Sequence, residues 1–201
     1  FHIDDTKVRI LWCVKEDQQL AAEETRATQT SGIVVKDEAG HKIVLYLSGR
    51  RHAGENLDRL LELRDSDLEI PIKMSDALAA NGKKKAPTID AKCWAHVDRK
   101  LKELEEIFPV ECLIVLKTIR SIYRIDHETE GMSKQKRLEY HQARSGPLLA
   151  QLEEWIEEQF GKRRVEPNSA LGKALQYIRN HWKGLTRFLS HPGIPLDNNS
   201  V

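Results

Sequence analysis

A mixed α/β sheet followed by an α-helical bundle is the fold class this sequence predicts, on three observations. Short β-branched and aromatic runs, broken by Gly and Pro, fill the stretch from Phe1 to about Lys92. Between the later runs lie segments of helical spacing, the alternation that makes a mixed sheet. From Cys93 onward, apolar residues recur every three or four positions, as in packed helices.

In chain order, His2-Ile3-Asp4-Asp5-Thr6 is the end or middle of a strand. Residues 8–14, 32–35 and 42–47 read as neighbouring antiparallel strands, with Glu38-Ala39-Gly40-His41 as the hairpin between the last two. Lys15 to Ser31 is polar and rich in Gln, Glu and Thr, so it is expected to be a loop or frayed helix. Leu57, Leu60, Leu61 and Leu63 put one apolar face on a helix over 52–64 that packs on the sheet. Ile70 to Ser75 is a short strand running into Asp76, residues 77–82 a short helix stopped at Gly82, and Pro87 to Ala91 one more brief strand.

In the second half, Leu101, Leu104, Ile107 and Phe108 predict a helix ending before Pro109, and a second runs from Val110 through Tyr123. Ser133–Gln142 and Pro147–Phe160 form a long helical stretch, either continuous or interrupted at Ser145-Gly146-Pro147. Asn168 or Ser169 caps a last helix with a stripe of Leu171, Leu175, Ile178, Trp182, Leu185 and Leu189.

The 201 residues suffice for one large domain or two small ones, and 40% hydrophobic with 31% charged residues excludes disorder and a collagen-like repeat. Lys and Arg total 32 against 31 Asp and Glu, so attraction to nucleic acid must come from the distribution of charge. No apolar run approaches the ~20 residues that span a bilayer. No signal pattern opens the chain, and a start at Phe1 reads as excision from something longer. Cys13, Cys93 and Cys112 have neither disulfide-framework nor zinc spacing; free buried thiols in a reducing cytoplasm are expected.

Asp4 and Asp76 each stand on or at the end of a strand. Brought side by side, two such aspartates make an anionic oxygen site suited to Mg²⁺ or Mn²⁺ and to phosphoryl transfer; apart, they are turn and cap residues. Asp5, next to Asp4, belongs to the other face of a strand. Cys93 and His96 lack a second ligand pair, which argues against zinc. His96 and Arg99, one turn apart, suit a phosphate or a solvated helix surface. Arg50, Arg51 and His52 cluster where the chain turns into a helix, a place for DNA backbone contacts or for plain solvated turn residues. Lys83-Lys84-Lys85 and Lys162-Arg163-Arg164 read as solvent-exposed runs.

Several strings occur in collinear order: His-Ile-Asp-Asp-Thr (2–6), Gly-Arg-Arg-His-Ala-Gly-Glu-Asn-Leu (49–57), Pro-Ile-Lys-Met-Ser-Asp-Ala-Leu (71–78), Cys-Trp-Ala-His-Val-Asp-Arg-Lys (93–100), Ser-Gly-Pro-Leu-Leu (145–149), Ser-Ala-Leu-Gly-Lys-Ala-Leu-Gln-Tyr (169–177) and Ile-Pro-Leu-Asp-Asn-Asn (194–199). Together they resemble the insertion sequence sixty-six transposases of bacteria, over essentially the whole chain. The resemblance implies a ribonuclease H-like catalytic core of the DDE type, which cuts DNA at transposon ends and joins the freed 3′ hydroxyl to target DNA. Mg²⁺ or Mn²⁺ is then held by two Asp and one Glu. Asp4 matches the first aspartate and Asp76 the second; the Glu is expected just beyond the 194–199 string, and it is carried onto no residue here. Asp197 is a neighbour of that position and no proven substitute.

On this resemblance, residues 1–96 are the catalytic core, 97–190 a helical insertion and 191–201 the return to the core. Without the Glu the fragment is expected to be inactive alone. DNA is the implied partner, with a homo-oligomer also open and no membrane. Two other readings stand beside this one: a catalytically silent DNA-binding or assembly module with relic aspartates, and a nuclease of the same fold acting on RNA–DNA hybrids, which shares the carboxylates but not the collinear strings.

Overall fold

In a computed structural model, the residues described are 2–7, 29–36, 41–49, 53–65, 67–75 and 87–199. They form two compact units, Phe1–Asp90 with Asn198–Val201, and Ala91–Asp197.

The first unit is built on strands β1 (His2–Lys7), β2 (Gln29–Lys36), β3 (Lys42–Gly49), β4 (Ile72–Ser75) and β5 (Ile89–Lys92), in the sheet order β3-β2-β1-β4-β5. β5 straddles the boundary between the units. β1 pairs antiparallel with β2, and β2 with β3, whereas β4 joins β1 in parallel. A parallel neighbour requires a crossover, and helix α1 (Ala53–Glu62) lies between β3 and β4 in the chain. α1 buries Leu57 and Leu61 against Ile33 of β2, with Val35, Leu45 and Leu47 around them. Asn56 of α1 donates from Nδ2 to Ser31 Oγ at 3.0 Å, so the hydroxyl buried under the helix is satisfied.

Strands 32–35 and 42–47 and the helix at 52–64 are found close to where the sequence puts them. The polar loop is expected to run to Ser31, but Gln29, Thr30 and Ser31 belong to β2, where cross-strand partners on β3 override their weak strand propensity. The strand at 8–14, the hairpin residues Glu38-Ala39-Gly40 and the short helix at 77–82 lie outside the described residues.

The second unit consists of α2 (Trp94–Lys102), α3 (Pro109–Glu128), α4 (Lys134–Gly161) and α5 (Ala170–Leu185), with a 3₁₀ turn at Arg187–Leu189. Its core includes Trp94, Leu101, Val115, Leu116, Ile119, Ile122, Leu152, Leu175 and Ile178. Trp94 is fully buried, donates from Nε1 to Leu185 O at 2.9 Å and meets Trp182 edge to face at 6.3 Å between ring centroids. Its backbone N–H donates to Leu196 O at 3.0 Å, which joins the start of the unit to its end.

One helix expectation fails here, and one open alternative is decided. α2 stops at Lys102, because its buried stripe is Trp94, Val97 and Leu101. Leu104, Ile107 and Phe108 instead lie in the turns leading to Pro109, and Ile107 is 69% exposed. Nor does Pro147 interrupt α4. His141, Ser145, Leu149, Leu152 and Ile156 continue one buried stripe through it, and that packing outweighs the ~3 kcal/mol an internal proline costs. Ser169, one of the two expected caps, accepts the Gly172 N–H at 3.0 Å and starts α5. A Cβ on Gly172 would stand 2.0 Å from Glu166 O, so only glycine permits this approach. Leu189 falls in the 3₁₀ turn, where Phe188 is the buried residue.

Candidate functional site

Asp4 and Asp5 stand on β1, the middle strand of the sheet. In β1, Asp4 stands in register with Gly32 and Asp5 with Ser31 of β2. On the other side, His2 is paired with Met74 and Ile3 with Ser75 of β4. Asp4 is the residue after Ile3, and Asp76 the residue after Ser75. The described register therefore ends one step before the two positions singled out by the sequence; Asp76 itself lies outside the described residues. Lys73, Met74 and Ser75 are buried, so the β4 segment leading up to Asp76 is enclosed. Among the described residues, no three His, Cys, Asp or Glu side chains converge as a metal site. The donor chemistry of two aspartates, each next in sequence after a residue of the β1–β4 register, nevertheless fits a hard, oxygen-seeking divalent ion.

Arg50, Arg51, His52 and Lys83-Lys84-Lys85 lie outside the described residues. His96 and Arg99 both lie on α2, in the helical unit. Arg99 is exposed and His96 half-buried, and His96 Nδ1 is enclosed without a hydrogen-bond partner. Helical spacing puts Lys100 on the same side as His96. Its Nζ lies 5.0 Å from the centroid of Tyr177 of α5, and Tyr177 meets the His181 ring at 4.8 Å. Burial, and then the Lys92 charge, hold the His181 pKa below its ordinary value. Lys100, Tyr177 and His181 thus extend the pair into a basic and aromatic edge. Sequence spacing shows the α2 residues but not the α5 ones, because the two helices are distant in the chain.

Cys93 and Cys112 are free and buried, as expected of structural thiols; Cys13 lies outside the described residues. Burial, with the charges of Glu105 and Glu111, pushes the Cys112 thiol up. Lys162 pairs with Glu158 at 2.9 Å on the surface, in keeping with a solvated basic run. Asp197 Oδ2 accepts the Tyr123 hydroxyl at 2.8 Å, and burial, that bond and the aspartate charge raise the Tyr123 pKa.

A polar network between α3 and α4 is absent from the sequence expectations. Arg137 donates from Nε to Asp126 Oδ1 at 3.0 Å and from Nη1 to Ile194 O at 2.8 Å. His141 Nε2 donates to the same Asp126 oxygen at 3.0 Å, while its Nδ1 meets Ser145 Oγ at 2.9 Å. Burial pushes the Asp126 carboxyl up, but hydrogen bonds from His141 and Arg137, with their charges, outweigh it and hold the pKa below the ordinary range. Although Ser, His and Asp are linked in series, Ser145 is 0% and His141 1% exposed, so no substrate reaches the hydroxyl. The arrangement is structural: it ties α3, α4 and the Ile194 segment together. Its only trace in the sequence is the four-residue spacing of Arg137, His141 and Ser145.

No solved structure matches this chain. It is similar to three uncharacterized proteins of Sinorhizobium fredii. With y4jD it shares 33% identity over 110 residues, covering 54% of this chain and 21% of that protein. With y4hP the identity is 25% over 139 residues, covering 63% and 25%, and with y4qI it is 30% over 115 residues, covering 55% and 20%. The matched segments thus span only a fifth to a quarter of these relatives' length. Residues 1–201 match the profile described as Transposase IS66 family. The collinear strings, the paired strands that lead to two aspartates and a match over the entire chain agree: the chain belongs to the IS66 family of transposases.

Proposed function

We propose that the sheet unit is a ribonuclease H-like core of the DDE type that takes part in metal-dependent DNA strand cleavage and strand transfer. Asp4 and Asp76 are its metal-holding carboxylates for Mg²⁺ or Mn²⁺. The observation that carries this reading is the parallel β1–β4 register, which ends at Ile3 and Ser75 with an aspartate next in each chain segment. When bound, a divalent ion supplies Lewis acidity to the attacking and leaving oxygens of an in-line displacement at phosphorus. The chain's own part is to concentrate negative charge where the β1–β4 register stops and to hold DNA beside it. Residues 1–96 serve as the core, 97–190 as a helical insertion and 191–201 as the return.

His96 and Arg99, with Lys100 beside them, contact DNA phosphates, as do Arg50, Arg51 and His52. Asp197 does not supply the third carboxylate of the family, since its Oδ2 is engaged by Tyr123.

Calorimetric titration of Mn²⁺ into the chain, and into Asp4→Ala and Asp76→Ala variants, tests the reading. Binding by the parent and its loss in both variants is the expected result. Equal heats in all three chains overturn it and favour a silent DNA-binding or assembly module. Separately, Arg99→Ala weakens DNA binding uniformly across sequences and lowers the salt slope by about one.

A further inference from the structure

Between Ile114 and Asp126, the exposed side chains of α3 are Lys117, Arg120 and Arg124, and no others. Steps of three and four residues put them on one face of the helix, spread over about 10 Å of its length. Among the described residues, none of the three side chains has an ion-pair or hydrogen-bond partner. One turn beyond Arg124 the same face reaches Glu128, whose Oε2 accepts the Tyr140 hydroxyl of α4 at 2.6 Å. Exposed Arg144 stands a turn further along α4, its guanidinium 5.7 Å from the centre of the Tyr140 ring. Glu128 meets Tyr140 and Asp126 meets His141, so α4 runs back along α3 and position 144 lies in the direction of Arg124. Three cations in line, with a fourth on the neighbouring helix, therefore concentrate positive charge on a chain whose net charge is only +1.

We infer that this strip of α3 is a contact for the phosphate backbone of duplex DNA, carried by the helical unit in addition to the α2 residues His96, Arg99 and Lys100. A guanidinium presents a planar fork of donors that matches phosphate oxygens, and a backbone needs only such donors and charge. The competing occupant is an acidic protein segment, because Leu113 and Ile114 are exposed one turn before Lys117. From Lys117 to Arg124, however, no apolar side chain is exposed, so the strip lacks the buried anchor on which protein interfaces centre. Contacts of this kind are blind to sequence and steeply dependent on salt. The inference takes its partner from the DNA reading above but uses none of the residues on which that reading rests.

Fluorescence anisotropy of a labelled random-sequence duplex, titrated with the 201-residue chain from about 50 to 200 mM salt, tests the contact. Lys117→Gln, Arg120→Gln and Arg124→Gln are each expected to lower the slope of log affinity against log salt by about 0.9, with the same loss on every sequence. Arg120→Lys is expected to keep the slope, and so is Lys173→Gln, which removes an exposed cation of α5. All substituted positions are exposed, so an unchanged thermal midpoint verifies that each variant is folded. An unchanged slope in the combined triple variant, or an equal fall in Lys173→Gln, overturns the inference. So does poly-glutamate bound as tightly as the duplex, which assigns the strip to an acidic protein. Arg99→Ala and the Mn²⁺ titrations report on the other readings separately: a fall in slope with Arg99→Ala and none with the triple variant sinks the α3 contact alone. A parent that binds no duplex overturns both DNA contacts and leaves the metal site to calorimetry.

Discussion

Among the described residues, the helical unit buries an apolar core crossed by the Asp126–Arg137–His141–Ser145 network, whereas the sheet unit shows a cluster of Ile33, Leu57 and Leu61 under α1. The edge strand β3 even leaves Ile43 and Tyr46 largely exposed. Asp4 and the segment leading to Asp76 belong to the sheet unit, and most of the described buried side chains to the helical one. On the proposed function, substitutions in the helices are expected to report on folding, and those at Asp4 and Asp76 on chemistry.

The strongest way to break that division is Trp94→Ala. It removes a fully buried indole and leaves Leu185 O without its donor, so urea unfolding monitored by circular dichroism should show a loss of about 3–5 kcal/mol. If Mn²⁺ binding vanished while the helices stayed folded, the two roles would be coupled after all.

Arg137→Ala comes next, at about 2–3 kcal/mol, since Asp126 and the Ile194 carbonyl both lose a charged donor. The same network sets a pH dependence. The folded-state pKa of Asp126 is depressed, so its stabilisation is present above the ordinary carboxylate pKa and is lost as pH falls through the folded value. Thermal midpoints measured downward from about pH 5 should therefore fall more in the parent than in Asp126→Asn.

The smallest effect belongs to Ser169→Ala. Loss of the bond from Gly172 N–H should cost about 1 kcal/mol and fray the start of α5, visible as faster amide exchange there.

What the sequence shows follows from how local each cause is. β2, β3 and α1 are legible because turn residues and a change of period mark them within a few positions. α2 misleads because Leu101, Leu104 and Ile107 mimic a stripe that Trp94 and Val97 in fact define. Pro147 misleads for a related reason: a local rule is overridden by packing across the bundle, where His141 and Ser145 occupy core positions as polar residues. At the candidate site, Asp4 and Asp76 come from the collinear strings, but strand pairing between positions seventy residues apart leaves no periodic trace. The Lys100–Tyr177 contact and the Tyr123–Asp197 bond are hidden likewise, since each joins distant segments.

The hydrogen bond from Trp94 N–H to Leu196 O makes the helical unit a closed excursion. Its doorway is as narrow as a hairpin, although roughly a hundred residues pass between entry and exit. Such a module keeps its own two ends together whatever the length of the helices between them. Evolution is then free to rework the bundle while the geometry around its two ends stays put.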